Sequence, residues 1–576
     1  MLEFLPFTLK LVLLLFANGC LAGLISSPSE LQRLDYDFII VGAGTAGNVL
    51  ANRLTEHSAS KVLVIEAGVS NADILNIQVP FLASRIQSGA AVDWNYTTVP
   101  QDGLNGRSLP ALRGHVLGGS SSINRMVWNR GSNDVWNNWS NVTKDKRWSW
   151  DAIEPYYLKT SHISPPTDHH NTTGELDPSA YGSGPVGVSL PGFPTELDGR
   201  VLNTSKSLGG RFEFTEELNS GKLIGFSYAQ STIQNGERSS SATAYLEPVL
   251  NRTNLDVLID TKALRLVRDQ NKNVKDIVPS FTGVEISQAR GDTPIVVSAS
   301  KEIILCGGAF GTPQLLLLSG IGPKDELERL GIESIADVPD VGRHLVDQPI
   351  VSSQYQVIEN ATTFDDIIRN TDLFNEELVK WQQERQGLFV STASHTYGFM
   401  RLPNGFANQK NPASGPSSAN TELLFDDGFV SLVGEAQPSA GKFMSILTAL
   451  LTPTSRGSLT LNSSDPFDEP VIDLALLATA FDISAMVQVL KDSKKFIHAS
   501  YWNNFIVRPF GDLSNAETDE ERSRLIRDQA STLFHPVGTA RMAPKGAGWG
   551  VTDPELRVKG VKGLRIVDAS IFVSFY

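Results

Sequence analysis

Residues 36–47 read Tyr-Asp-Phe-Ile-Ile-Val-Gly-Ala-Gly-Thr-Ala-Gly, an apolar run passing straight into a GxGxxG turn, and a second apolar run, Lys61 to Glu66, ends on an acid. The pattern predicts strand, tight turn and helix, with the acid at the tip of the neighbouring strand, which is a dinucleotide site in an α/β fold. Gly42 permits the turn, Gly44 lets backbone approach a pyrophosphate, and Gly47 lets the helix pack on the strand. Thr45 and Ala46 complete the turn, where the helix N-terminus faces the phosphates. Glu66 is expected to hold adenosine ribose hydroxyls. The motif alone does not separate FAD from NAD.

At 576 residues the chain exceeds one core and is expected to form two intimately connected domains. A 41% hydrophobic content with 48 Gly and 30 Pro suits a large, loop-rich enzyme. A net charge of −14 without a long basic run argues against nucleic acid or anionic membrane as a partner. Residues 1–22 read as a secretory signal: Lys10 precedes the apolar stretch Leu11 to Phe16, too short for the roughly 20 residues of a membrane span, and Ala22 ends a small-residue cleavage site. Eight Asn-x-Ser/Thr sequons, at Asn95, Asn138, Asn141, Asn171, Asn203, Asn251, Asn360 and Asn462, fit a glycosylated extracellular protein. Cleavage would leave Cys306 alone, as a buried structural thiol.

Arg113 to Gly131, RGHVLGGSSSINRMVWNRG, predicts a backbone-dominated loop. From about 138 to 225, sequons, Pro, Gly and His predict a surface excursion, and Asp168-His169-His170 within it reads as solvated loop rather than metal site. The runs Leu255 to Ile259 and Ala263 to Val267 read as a return to the nucleotide domain. Lys301 to Gly308 predicts a strand ending in glycines, followed by a helix over Gln314 to Leu318. Mixed strands and amphipathic helices, such as Ile483 to Trp502, fill the stretch to about 530. The domains are therefore placed at 35–345 for the nucleotide domain, 346–530 mainly for substrate binding, and 531–576 for a return to the first.

Gly114 to Gly131 and Gly308 to Gly322 resemble the two signature motifs of the glucose-methanol-choline (GMC) flavin oxidoreductases, the second position by position. The resemblance continues through Val341-Gly342-Arg343, Ser455-Arg456-Gly457, Phe534 to Thr539 and Ile566 to Ser570. Asp93 to Thr98 and Phe505 to Phe510 are most similar to secreted fungal aryl-alcohol oxidases. The resemblance implies a Rossmann-like FAD domain interleaved with an α+β substrate domain, noncovalent FAD, and oxidation of an alcohol by hydride transfer to flavin N5. Oxygen, reduced to hydrogen peroxide, or a quinone would reoxidise the flavin. A non-redox, hydroxynitrile-lyase-like member is the alternative within the family.

On the residues alone, His535 could be a core histidine satisfied by backbone; the resemblance makes it the base that takes the hydroxyl proton. It also implies flavin contacts at Trp94, Val116, Gly118, Gly119, Ser120, Asn124, Ala263, Asp568 and Ala569. Phe429 and Phe534 would form an aromatic substrate entrance, with Arg125 standing where an aromatic residue is usual and favouring an anionic or more polar ring. The family normally continues beyond Ser570 into a turn with a second catalytic His or Asn and a long helix, so a truncated C-terminus, weak FAD binding and slow or absent turnover are expected.

Overall fold

The structure is a computed structural model that describes residues 23–269, 278–408 and 410–574. The expected signal segment, residues 1–22, lies outside the described residues. Two sheets organise the chain. The first has eight strands: Leu24–Ile25, Leu255–Leu258, Val62–Ile65, Asp35–Val41 and Ile295–Leu305 run parallel in that order, Leu564–Ile566 also pairs parallel with Ile295–Leu305, and Phe281–Ser287 and Lys262–Arg268 close one edge antiparallel. Its central strands are apolar on both faces because helices cover both sides: Ile39, Ile40, Leu63, Val64 and Ile303 are buried. Each such side chain contributes about 1.5–3 kcal/mol by leaving water.

The second sheet is antiparallel, in the order Ile506–Phe510, Pro349–Val357, Lys442–Leu450, Thr421–Asp426, Ser394–Met400 and Gly225–Tyr228. Ser531–Thr532 pairs with the start of Pro349–Val357. Two seams join the sheets beside this point. Val346 and Val537 exchange both backbone hydrogen bonds, at 3.1 and 3.0 Å, and the Gly538 N–H donates to the Ala569 carbonyl at 3.2 Å. The chain segment carrying His535 is thereby held between the start of the antiparallel sheet and the end of the parallel one.

Several expectations change at their edges. The strand expected at Lys301 to Gly308 is Ile295–Leu305, and its helix begins at Gly308 rather than Gln314; Pro313 sits inside it, and the Ala309 carbonyl left without an N–H four residues on accepts from the Thr539 hydroxyl at 2.7 Å. The helix expected over Ile483 to Trp502 is Ala480–Ile497. The surface excursion at about 138–225 is corrected: helices Asn133–Thr143, Trp150–Leu158 and Glu196–Leu208 bury Trp136, Trp139, Trp150, Leu197 and Val201, and Gly225–Tyr228 is a strand of the second sheet. Aromatic mass outweighs the polar residues between these helices. Asp168, His169 and His170 do lie on a partly exposed loop, where His170 Nδ1 pairs with Asp168 at 2.6 Å.

Candidate active site

The carboxyl ends of the parallel strands converge, as ligand sites in such sheets require. Val41 runs into Gly42, Ile65 into Glu66, Leu305 into Gly307 and Gly308, and Ile566 towards Asp568. Gly42 has φ +107°, and a Cβ there would stand 2.5 Å from the Cys306 carbonyl oxygen. A Cβ on Gly47 would meet the Gly42 carbonyl at 1.9 Å, so only glycine lets the helix Gly47–Leu54 sit this close to its strand. Gly44 differs: a Cβ there would have Gly119 Cα at 3.8 Å as its nearest neighbour, leaving room beside the turn. Thr45 is exposed and Ala46 half-buried at the helix entry.

The first-signature loop lies on this turn. The Gly118 N–H donates to the Ala43 carbonyl at 2.8 Å, and a Cβ on Gly119 would come within 2.7 Å of Gly44 Cα. Ser120 accepts the Gly114 N–H at 3.3 Å, and Val116 is buried in a bridge to Val69. Asn124 is exposed; its Oδ1 accepts from Arg238 at 2.7 Å and from the Met126 N–H at 3.1 Å, which leaves its amide NH2 as the end facing open space. Arg238 is buried, and burial pushes its pKa down to about 9. Trp94 stacks on Tyr96 at 5.6 Å and meets His115 edge-on at 4.5 Å, while Ala263 is half-buried.

Two acids serve the cradle differently from a bare ligand contact. Glu66 accepts the Ala43 N–H at 2.8 Å and the Gly68 N–H at 2.9 Å, so it ties both loops together while keeping lone pairs for hydroxyl donors. Burial raises its pKa to about 7 despite these donors. Asp568 accepts from the Gly308 N–H and the Thr312 hydroxyl with one oxygen and from Ser570 with the other. Its carboxylate is spent on protein, and the turn's backbone at Asp568 and Ala569 is what remains to face a cofactor. The glycine-lined opening, the helix entry and the acid on the second strand fit FAD, which residues 42–47, 66, 116–124 and 568–569 would hold.

His535 has an exposed surface, yet burial pushes its pKa down to about 4, with the Arg113 guanidinium adding repulsion. Its tautomer follows from its partners. Gln348 Nε2 donates to the Leu451 carbonyl at 2.8 Å, so Gln348 Oε1 is the atom 2.9 Å from His535 Nδ1. Nδ1 therefore carries the proton and Nε2 is left with a lone pair.

The turn is over-determined. Asp347 accepts the His535 N–H at 3.0 Å and the Thr532 hydroxyl, Thr532 accepts the Phe534 N–H at 2.8 Å, and Arg113 donates to the Phe534 carbonyl. Phe534 is held at φ +61°, a left-handed conformation costly for an aromatic residue and typical of sites where surroundings impose it. Arg113, Asp347, Gln348 and Thr532 were not among the residues picked out from sequence. The motif Val341-Gly342-Arg343 stops four residues short of Asp347.

The substrate candidates divide. Phe534 is half-buried beside His535, and Arg125 is exposed and close enough to Asp426 to favour that acid's ionised form. Phe429 is only 9% exposed and packs edge-on against Phe443 at 5.6 Å and Phe510 at 6.0 Å, which leaves little ring for a ligand.

The N-terminal model of the GMC oxidoreductases matches residues 36–350 and the C-terminal one residues 453–575. Dehydrogenase eriK of Hericium erinaceus is 36% identical over 97% of this chain and 94% of its own, and pyranose dehydrogenase 2 of Leucoagaricus meleagris 36% identical over 93% and 89%. The formate oxidase of Aspergillus oryzae RIB40, a structure concerned with FAD modification, superposes with a TM-score of 0.83 at 30% identity over 94% of both chains. A fungal aryl-alcohol oxidase shares the fold, with a TM-score of 0.77 at 24% identity. The C-terminal match reaches residue 575. Both family models and relatives 36% identical over nearly the whole length have one meaning: the chain belongs to the GMC family and is an FAD-dependent oxidoreductase.

Proposed function

We propose that the protein oxidises a primary or ring hydroxyl of a small polar ring, outside the cell, with His535 as the base. The observation that carries this is the fixed tautomer: Nε2 bears the lone pair on a side chain whose surface is exposed. A hydroxyl seated there donates its proton to Nε2, and the imidazolium that forms is held through Nδ1–H by Gln348. FAD supplies the two-electron acceptor for the α-hydrogen. Burial and the Arg113 guanidinium hold the imidazole neutral, with its pKa down at about 4, so its lone pair is free to take the hydroxyl proton. Asp347, Arg113 and Thr532 keep the imidazole in position, so no reorganisation is needed at that moment.

The polar-ring reading is supported by the exposed Arg125, by the packing of Phe429 into its own aromatic cluster, and by relatives of 36% identity named as pyranose dehydrogenases. Those names also favour a quinone over oxygen as electron acceptor. An aryl-alcohol oxidase that releases hydrogen peroxide is the second reading, favoured by Phe534 beside the base and by similarity to solved oxidases at 28–30% identity. Secretion is supported by the sequons: seven of the eight asparagines are exposed and Asn138 is half-buried. No helix among the described residues is long and apolar enough to cross a membrane.

Anaerobic mixing decides the substrate. A pyranose should bleach the flavin much faster than benzyl alcohol, and benzoquinone should then restore the colour faster than air. Preferential bleaching by benzyl alcohol with rapid recovery in air would establish the oxidase reading instead. An unbleached flavin with every alcohol would remove both.

A further inference from the structure

Away from the histidine turn, Asp198, His395 and Asp427 come together in the substrate domain with exposures of 2%, 1% and 3%. Asp198 is on the first turn of helix Glu196–Leu208, His395 is on strand Ser394–Met400, and Asp427 follows strand Thr421–Asp426. We propose that these three side chains bind one divalent transition-metal ion of the zinc class, as a structural site.

The distances point that way. His395 Nδ1 lies 3.4 Å from Asp198 Oδ2 and 3.5 Å from Asp427 Oδ2, and one ligand atom from each residue lies within 4.8 Å of the others. A charge-assisted hydrogen bond would draw nitrogen and oxygen to about 2.7–2.9 Å. Ligands bonded at about 2.1 Å to a tetrahedral ion are about 3.4 Å apart. Asp427 Oδ2, aimed at the imidazole, is buried without a hydrogen-bond partner, which interiors rarely leave. Its other oxygen is held by the Thr195 hydroxyl at 2.9 Å, and the Thr195 N–H fixes Asp198 at 2.8 Å, so the ligands are oriented by hydrogen bonds of their own.

Charge gives the second argument. A divalent ion with a neutral imidazole and two ionised carboxylates leaves the cluster without net charge. One nitrogen and two carboxylates suit zinc or its neighbours; calcium takes six to eight oxygens, and magnesium keeps several waters that this enclosure does not favour. The ion would pin the start of helix Glu196–Leu208 to two strands of the antiparallel sheet, immediately before Gly428 and Phe429.

The test uses the FAD-loaded full-length protein. After exposure to zinc and gel filtration, plasma mass spectrometry should find zinc stoichiometric with flavin. Dialysis against dipicolinate should remove the metal and lower the melting midpoint, and zinc should restore it in a concentration-dependent way. His395→Gln should retain no zinc and melt at the same temperature with or without it. Should that variant not fold, cobalt added to the stripped wild type should give tetrahedral d–d bands to the red of the flavin. A stripped wild type that takes up neither metal and whose melting ignores zinc would overturn the site. So would zinc retained undiminished by His395→Gln, or a nitrogen chemical shift showing a protonated imidazolium at neutral pH.

Discussion

The cofactor cradle and the histidine turn meet at one place but are built by opposite means. The cradle is made of backbone: glycines at 42, 47, 118 and 119 let loops touch where a side chain would collide, and Gly44 leaves room beside the turn. The turn is made of side chains: Arg113, Asp347, Gln348 and Thr532 each contribute a hydrogen bond, and together they hold Phe534 in a conformation it would not choose. Backbone recognition is local in sequence and fails by steric collision. Side-chain positioning is non-local and fails by misalignment. The two should therefore break in different observables.

The largest effect belongs to the cradle. Gly47→Val places side-chain carbon on the Gly42 carbonyl, and neither backbone can yield without opening the strand–helix pair. Purified protein should contain no flavin absorbance, or fail to fold; a variant that keeps full yellow colour would show the packing to be less strict than its geometry. His535→Ala should do the reverse, keeping the flavin spectrum while kcat/KM falls by about 10²–10⁴, the usual contribution of a positioned base. Loss of flavin in that variant would assign His535 to cofactor binding instead.

A smaller effect separates placement from chemistry. Gln348→Leu retains the volume but leaves Nδ1–H without its acceptor, freeing the ring to turn and to change tautomer. A drop of about 10² in kcat, with KM and flavin content little changed, is expected for misplacement of this kind. An equal rise in KM with kcat untouched would mean that Gln348 binds substrate rather than aiming the base.

This division also sets what could be read in advance. The cradle was legible because its residues are neighbours in sequence: strand, glycines and acid fall within residues 36–66, and the second signature helix starts at its first glycine. The partners of His535 were not, since Asp347 lies 188 positions away and neither acid nor amide forms a local pattern with it. His395 was passed over for the same reason, its carboxylates coming from segments brought together only by sheet pairing and a helix start. The region at 138–225 misled in the other direction, because sequons and turn residues masked the spacing of Trp136, Trp139 and Trp150 that builds a core.

The pH profile tests the histidine turn without changing its volume. His535 is depressed from 6.5 to about 4, so it stays neutral where an ordinary imidazole would be charged. The acid limb of kcat/KM should lie well below pH 6.5. Because the unfolded chain binds this proton more readily, the same group makes stability fall as pH drops from about 6.5 towards 4. Gln348→Glu would place a carboxylate against Nδ1–H, raise the imidazole pKa and move the acid limb up. An unshifted limb would mean that it reports another group.

The smallest effect lies in Glu66, the cradle acid that keeps lone pairs for a ligand. Burial raises Glu66 from 4.5 to about 7, so the apoprotein binds a proton there that the unfolded chain does not. That contribution to stability is complete below pH 4.5 and disappears as pH rises through 7. Ribose hydroxyls donating to the carboxylate favour its charged form, so FAD binding near pH 7 should release a fraction of a proton. Calorimetric titration of apoprotein with FAD, in two buffers of different ionisation enthalpy, should give apparent enthalpies that differ by that fraction. Glu66→Gln should abolish the difference and weaken FAD about tenfold, since one amide oxygen can replace only part of what two carboxylate oxygens accept from Ala43, Gly68 and the ligand. Identical enthalpies in both buffers for the wild type would mean that Glu66 is already ionised before FAD arrives. The two backbone donors would then outweigh burial, and the acid would belong wholly to the backbone-built side of the site.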